Sequence, residues 1–201
     1  MDYQKIEFNG KLYSDGKDRG IDYDMIFPEM PEGLYILDLG CNIGYYSIRA
    51  ALEGAKEVLG IDNHKPFLDK AKDVVKDLNI DNTIFDESDV MEIEIYTRFD
   101  VVLCLNLVHH FGNIDEVKEL VKKCYAWSNK RIVFEVIKCE HPWQWVFITN
   151  RKGNKKIALT AEFFEKLLGD NVTINTFDSK ATEGRMFVDI IKKKGGKIWI
   201  K

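Results

Sequence analysis

A chain of 201 residues fits a single domain and is long enough to bury a sizeable core. Apolar residues make up 45% and charged residues 31%, which excludes a disordered or fibrous chain. The formal charge of −4 excludes a protein coated in basic surface.

The charge is unevenly placed. Residues 1–100 carry 11 Lys and Arg against 22 Asp and Glu, and residues 101–201 carry 18 against 11. A basic second half suits an anionic substrate, RNA included, or solvated outer helices. The start, MDYQKIEFNG, has no basic stretch followed by an apolar run, so no signal peptide is expected. No segment approaches the ~20 apolar residues of a membrane helix. Cys41, Cys104, Cys124 and Cys139 form no C-x-x-C pair and have no histidine at zinc-ligand spacing. They read as buried, reduced thiols of a cytoplasmic protein with no metal and no membrane partner.

In chain order, Asn9-Gly10 between Ile6-Glu7-Phe8 and Leu12-Tyr13 signals a β-hairpin. Arg19–Met30 reads as a short helix or loop. Strands are expected at Tyr35–Leu39, Glu57–Ile61, Thr83–Phe85, Phe99–Leu105, Arg131–Val136, Val172–Phe177 and Arg185–Lys192. Helices are expected at Tyr45–Glu53, Pro66–Leu78, Ile114–Trp127 and Thr160–Leu168. Phe67, Ala71, Val74, Val75 and Leu78 share one face of the second. Val117, Leu120, Val121 and Cys124 share one face of the third. Thr160 is the expected N-cap of the fourth, which Gly169 closes. Glu87–Arg98 is too short and too β-like for a full helix. Apolar strands such as VVLCL, separated by amphipathic helices, predict a doubly wound, mostly parallel α/β sheet of seven strands. Its last two strands form an antiparallel C-terminal hairpin. The expected organisation is one domain over 1–201, with an N-terminal extension at 1–34, a Rossmann-like core at 35–194 and a candidate lid at 138–159.

The most informative segment is Leu37-Asp38-Leu39-Gly40-Cys41-Asn42-Ile43-Gly44-Tyr45-Tyr46-Ser47. A buried strand breaks at Gly40 and a helix begins near Gly44, so the backbone can approach a ligand closely. Dinucleotide sites favour G-x-G-x-x-G. Here the middle glycine is Asn42, and Asp38 would repel a pyrophosphate, which weakens an NAD-dependent oxidoreductase reading. A carboxylate at that place suits a cation. The segment resembles motif I of the class I S-adenosylmethionine-dependent methyltransferases, and the likeness extends over residues 35–194.

The resemblance implies a class I methyltransferase fold with S-adenosyl-L-methionine as cofactor. It implies cofactor binding by Asp38, Gly40, Cys41, Asn42 and Gly44, by Asp62 with Asn63, by Asp89 and Val90, and by Asn106. Asp62 ends the second strand, where an acidic residue holds the ribose hydroxyls, or else caps the following helix. Asp89 and Val90 match the adenine-contacting positions, and Asp89 also reads as a turn aspartate. Phe99–Phe111 resembles motif IV, which places Asn106 near the methionine part of the cofactor. His109 and His110 follow it as candidate bases, or as histidines that shape the pocket.

The stretch His141-Pro142-Trp143-Gln144-Trp145-Val146-Phe147 suggests an aromatic lid or a small satellite core. Arg151-Lys152-Gly153-Asn154-Lys155-Lys156 suggests a phosphate grip or a solvated hairpin tip. Glu135 is placed to hold an acceptor amine or to cap a loop. The expected reaction is methyl transfer to an oxygen or nitrogen of a small-molecule acceptor. An RNA acceptor, through a loose likeness to tRNA wobble-uridine carboxymethyltransferases, and a non-catalytic binding partner are the alternatives. The sequence leaves the oligomeric state open.

Overall fold

A computed structural model of the chain describes residues 4–139, 145–149, 153 and 155–193. It contains two compact units, Met1–Glu94 and Ile95–Lys201.

The first unit opens with β1 (Ile6–Phe8) and β2 (Lys11–Ser14), paired antiparallel. Asn9 and Gly10 both have positive φ (52° and 75°), as a tight primed turn requires. The short helix α1 (Gly20–Ile26) buries Tyr23 and Ile26. Three parallel strands follow: β3 (Tyr35–Leu39), β4 (Glu57–Asp62) and β5 (Thr83–Glu87), with β4 in the middle. The crossovers are α2 (Tyr45–Leu52) and α3 (Lys65–Asp77). Leu68, Ala71 and Val74, three residues apart, form the buried stripe of α3.

Phe85 of β5 explains two glycines. A Cβ on Gly60 would lie 2.6 Å from its ring, and one on Gly44 would lie 2.7 Å away. Gly44 also has φ 81°, which side-chain-bearing residues rarely adopt. The aromatic ring therefore sits directly on the backbone of β4 and of the turn entering α2.

The second unit holds β6 (Phe99–Leu105), a 3-10 turn (Val108–His110), α4 (Ile114–Trp127) and β7 (Ser128–Lys138). Then come β8 (Trp145–Thr149), β9 (Lys155–Leu159), α5 (Ala161–Leu168), β10 (Val172–Asp178) and β11 (Arg185–Lys192). β6 and β7 are parallel, β11 runs antiparallel beside β7, and β10 lies outside β11. Asn113 caps α4 by accepting from the backbone N–H groups of Asp115 and Glu116. Val117, Leu120, Val121 and Cys124 are its buried face.

The mostly parallel α/β reading and the C-terminal antiparallel hairpin hold. The seven expected strands and four expected helices are all present, with ends shifted by at most three residues. Residues 88–98 carry no helix. Within the 138–159 connection, the candidate lid, β8 and β9 form an antiparallel hairpin, and β9 joins the end of β7 in parallel. The unbroken apolar run Ile157-Ala158-Leu159 is buried, so no alternation marked the strand. His141, Pro142, Trp143, Gln144, Arg151, Lys152 and Asn154 lie outside the described residues. Thr160 stands at the N-cap of α5 but makes no side-chain cap bond. Cys41, Cys104 and Cys124 are buried and Cys139 is half-buried, and all four are reduced thiols. Among the described residues no His, Cys, Asp and Glu group is arranged to hold a metal, and no helix is long and apolar enough to cross a membrane.

Candidate functional site

In the first unit the turn between β3 and α2 is fastened by β4. Gly40 and Cys41 both donate to the Ile61 carbonyl, at 2.7 and 2.9 Å. The Asn42 N–H donates to Asp62 Oδ2 at 2.9 Å, and the His64 N–H donates to Asp62 Oδ1 at 2.9 Å. Asn42 takes a left-handed conformation, φ 56°, which asparagine tolerates better than most residues. The helix start is closed as well: the Tyr45 N–H donates to Gln4 Oε1 at 3.3 Å. Asp62 thus acts on the turn and on its own following loop, while the N-cap position of α3 is His64. Each Asp62 oxygen accepts one backbone bond and retains acceptor capacity for a further donor.

Asp38 is buried beneath this turn and accepts from Ser47 Oγ at 2.6 Å. Burial pushes its carboxyl up to about 6, against the pull of the Ser47 bonds, and nearby Asp62 adds to the rise. Among the described residues no Lys, Arg or His forms an ion pair with it. The Asn42 Oδ1 atom is also buried without a hydrogen-bond partner. Cys41 is buried, and desolvation holds its thiol protonated. Asn63 is exposed.

Asp89 lies in the turn after β5. Its Oδ1 accepts from the Met91 N–H at 2.8 Å and its carbonyl from Glu92 and Ile93. Val90 beside it is buried. The Ser88 N–H donates to the Asp62 carbonyl, so this turn is tied to the end of β4. The structure therefore brings Asp38, residues 40–44, Asp62 and the Asp89 turn to the carboxyl ends of β3, β4 and β5.

In the second unit Asn106 follows β6 with φ 56°, and its Nδ2 donates to the buried Glu135 of β7 at 2.5 Å. His109 is buried. The Arg185 guanidinium faces both its ring nitrogens, at 3.0 Å (Nδ1) and 3.3 Å (Nε2). A neutral imidazole has one acceptor nitrogen, so only one of these contacts is a hydrogen bond. Burial, reinforced by Arg185, pushes the His109 pKa down to about 2 and keeps the ring neutral. The Lys156 ammonium donates to His110 Nδ1 at 3.2 Å, which leaves the ring proton on Nε2. Burial and Lys156 lower the basicity of His110. The two imidazoles stand 4.1 Å apart.

A family model described as a methyltransferase domain matches residues 36–130. That match takes in a little under half of the chain, and over it the chain is similar to this methyltransferase family. The chain is 28% identical over 152 residues to a ubiquinone biosynthesis O-methyltransferase of Rickettsia bellii, covering 70% of this chain and 62% of that protein. It thus spans about three-fifths of that relative's length. It is 34% identical over 93 residues to a tRNA U34 carboxymethyltransferase of Haemophilus influenzae, covering 44% of this chain and 28% of that protein. The fold is shared with magnesium protoporphyrin IX methyltransferase from Synechocystis PCC 6803, solved with bound S-adenosylmethionine. The TM-score is 0.69 at 18% identity, over 90% of this chain and 88% of that one.

Sequence reasoning missed three residues that shape these sites. Ser47 ends the glycine-turn segment but was given no role there, and Phe85 and Arg185 sit in ordinary strand positions that no local pattern marks. Ser47 and Arg185 matter only through partners nine and 76 positions away.

Proposed function

We propose that the chain is an S-adenosylmethionine-dependent methyltransferase acting on an oxygen or nitrogen of a small-molecule acceptor. The observation that carries this reading is Asp62, oriented by two backbone N–H groups at the end of β4 and joined through one of them to the glycine turn. On this reading its remaining lone pairs take the ribose hydroxyls. Asp38, a buried carboxylate with no cation partner among the described residues, suits the positive charge of the amino-acid end. Gly40, Cys41, Asn42 and Gly44 offer the close backbone approach, Asn63 flanks the ribose, and Asp89 with Val90 meets the adenine edge.

Bound S-adenosylmethionine supplies an electrophilic sulfonium methyl. The chain then needs no nucleophile of its own, and its task is to orient and desolvate the reactants. Within the second unit, Asn106, which donates to Glu135, is the proposed contact for the methionine part of the cofactor, and His109 and His110 are the proposed acceptor-side groups. A general base is not required. His109 is held neutral without useful basicity, and His110 commits its Nδ1 lone pair to Lys156.

Incubation with S-adenosylmethionine and a panel of phenols, amines and carboxylic acids, followed by chromatography for S-adenosylhomocysteine, tests the reading. Turnover abolished in Asp62→Ala supports it. Turnover that survives Asp62→Ala unchanged overturns the assignment of the site, and the absence of turnover across a broad panel favours a non-catalytic binding partner.

An RNA acceptor is the second reading, supported by the 34% identity to the tRNA-modifying relative and by Lys155 and Lys156 of β9. Binding of bulk tRNA that steepens at low salt, and weakens when both lysines are neutralised, favours it.

A further inference from the structure

Several cations of the second unit have carboxylate partners, and Lys192 and Lys193 are held by backbone carbonyls. Lys130 pairs with Asp100, Arg131 with Asp189, Lys138 with Asp178 and Lys166 with Glu162. Lys156 differs. The residue is partly exposed, and among the described residues the hydrogen-bond partner of its ammonium is a neutral ring nitrogen of His110. An imidazole accepts a proton bond but cannot cancel the charge.

Arg185 reinforces the anomaly. It reaches the adjacent imidazole of His109, and its charge together with burial lowers the pKa of Lys156. Two like charges and two imidazoles from three separate elements are therefore gathered at one place: the turn after β6, β9 and the start of β11. That turn lies at the carboxyl end of a parallel strand, where ligands of open α/β sheets bind. The hydrogen-bonding inventory is one-sided. Lys156 has three donors, Arg185 has five, and His110 offers Nε2–H. Carboxylate or phosphate oxygens match that set.

We infer that the acceptor of this methyltransferase carries an oxyanion, a carboxylate or a phosphate, that docks on Lys156 and Arg185 beside His109 and His110. The word acceptor rests on the methyltransferase reading above; the anion site itself rests only on the second unit.

The test is a nuclear magnetic resonance titration of the full chain, following the histidine ring nitrogens assigned with His109→Gln and His110→Gln. The probes are benzoate, phenyl phosphate, phenol as the neutral control, and bulk tRNA. The expected result is a saturable shift of the His109 and His110 signals with benzoate or phenyl phosphate and none with phenol. The stronger of the two names the oxyanion. Lys156→Met is expected to weaken that binding at least tenfold and Lys156→Arg to restore most of it. S-adenosylhomocysteine affinity, measured on the same variants, should stay within twofold and reports that the fold is intact. Failure of the wild type to bind S-adenosylhomocysteine would remove the methyltransferase reading without touching the anion titration. No saturable shift with either anion, or an equal shift in Lys156→Met, overturns the inference. A response to tRNA alone overturns the small-molecule form of it.

Discussion

Each unit holds a charge without an oppositely charged partner among the described residues, and the two signs differ. In Met1–Glu94 the uncompensated group is a carboxylate: Asp38 lies beneath the glycine turn with a hydroxyl as its partner. In Ile95–Lys201 Lys156 is a cation with no carboxylate partner among the described residues, and its ammonium leans on an imidazole. Residues 1–100 carry twice as many acidic as basic residues, and the remainder reverses the balance. Burying such a group is unfavourable unless something of opposite sign arrives. On the reading proposed above, the first unit receives the cationic end of the cofactor and the second an acidic acceptor.

Three substitutions sharpen or break that contrast. The largest effect is expected at the glycine turn. Gly44→Ala must adopt φ 81° and drive a Cβ into the Phe85 ring, for a loss of about 3 kcal/mol in urea unfolding. In a Phe85→Ala background only the backbone part should remain, about 1 kcal/mol. A full-sized loss in that background would show that the ring does not seat the turn.

The next effect concerns His109. Its folded pKa lies well below its unfolded value of 6.5, so the unfolded chain takes up a proton that the folded chain refuses. The stability it contributes is complete above pH 6.5 and falls by at most about 1.4 kcal/mol per pH unit as the solution is acidified toward 2. His109→Gln should flatten that slope in unfolding curves taken from pH 7 to pH 5. An unchanged slope would mean that the ring protonates in the folded protein.

Asp38 has the opposite sign. Its folded pKa of about 6 exceeds its unfolded 3.8, so the folded state gains relative stability as pH falls from about 6 to 3.8 and loses it on the way up. Asp38→Asn should therefore raise stability at pH 8, by about 1 kcal/mol, and make the protein more acid-sensitive below pH 6. The two slopes offset each other between pH 3.8 and 6, so the single variants reveal what the wild type conceals. A lower melting temperature for Asp38→Asn at pH 8 would show that the charge is already balanced by another group.

How much of this was legible in the sequence follows from the range of each interaction. The strands, α4 and the Asn9-Gly10 hairpin were readable because period, caps and turn residues act within a few positions. Asp38, the glycine turn and Asp62 were readable because their order along one strand–turn–helix–strand unit fixes them in space. The support of the site was not. Ser47 beneath Asp38 and Phe85 across Gly44 and Gly60 act through tertiary contact. Lys156 read as one member of a basic run, and only the folding of β9 onto β7 distinguishes it from Lys155. Arg185 carried no signal, since its meaning depends on a histidine 76 residues earlier.

The most direct test is a calorimetric titration of S-adenosylhomocysteine into the wild type and into Asp62→Ala. The expected result is saturable, one-to-one binding by the wild type and about a hundredfold weaker binding by the variant, the scale of two lost hydrogen bonds to a charged group. A wild type that does not bind the nucleoside, or a variant that binds it equally well, would contradict the account.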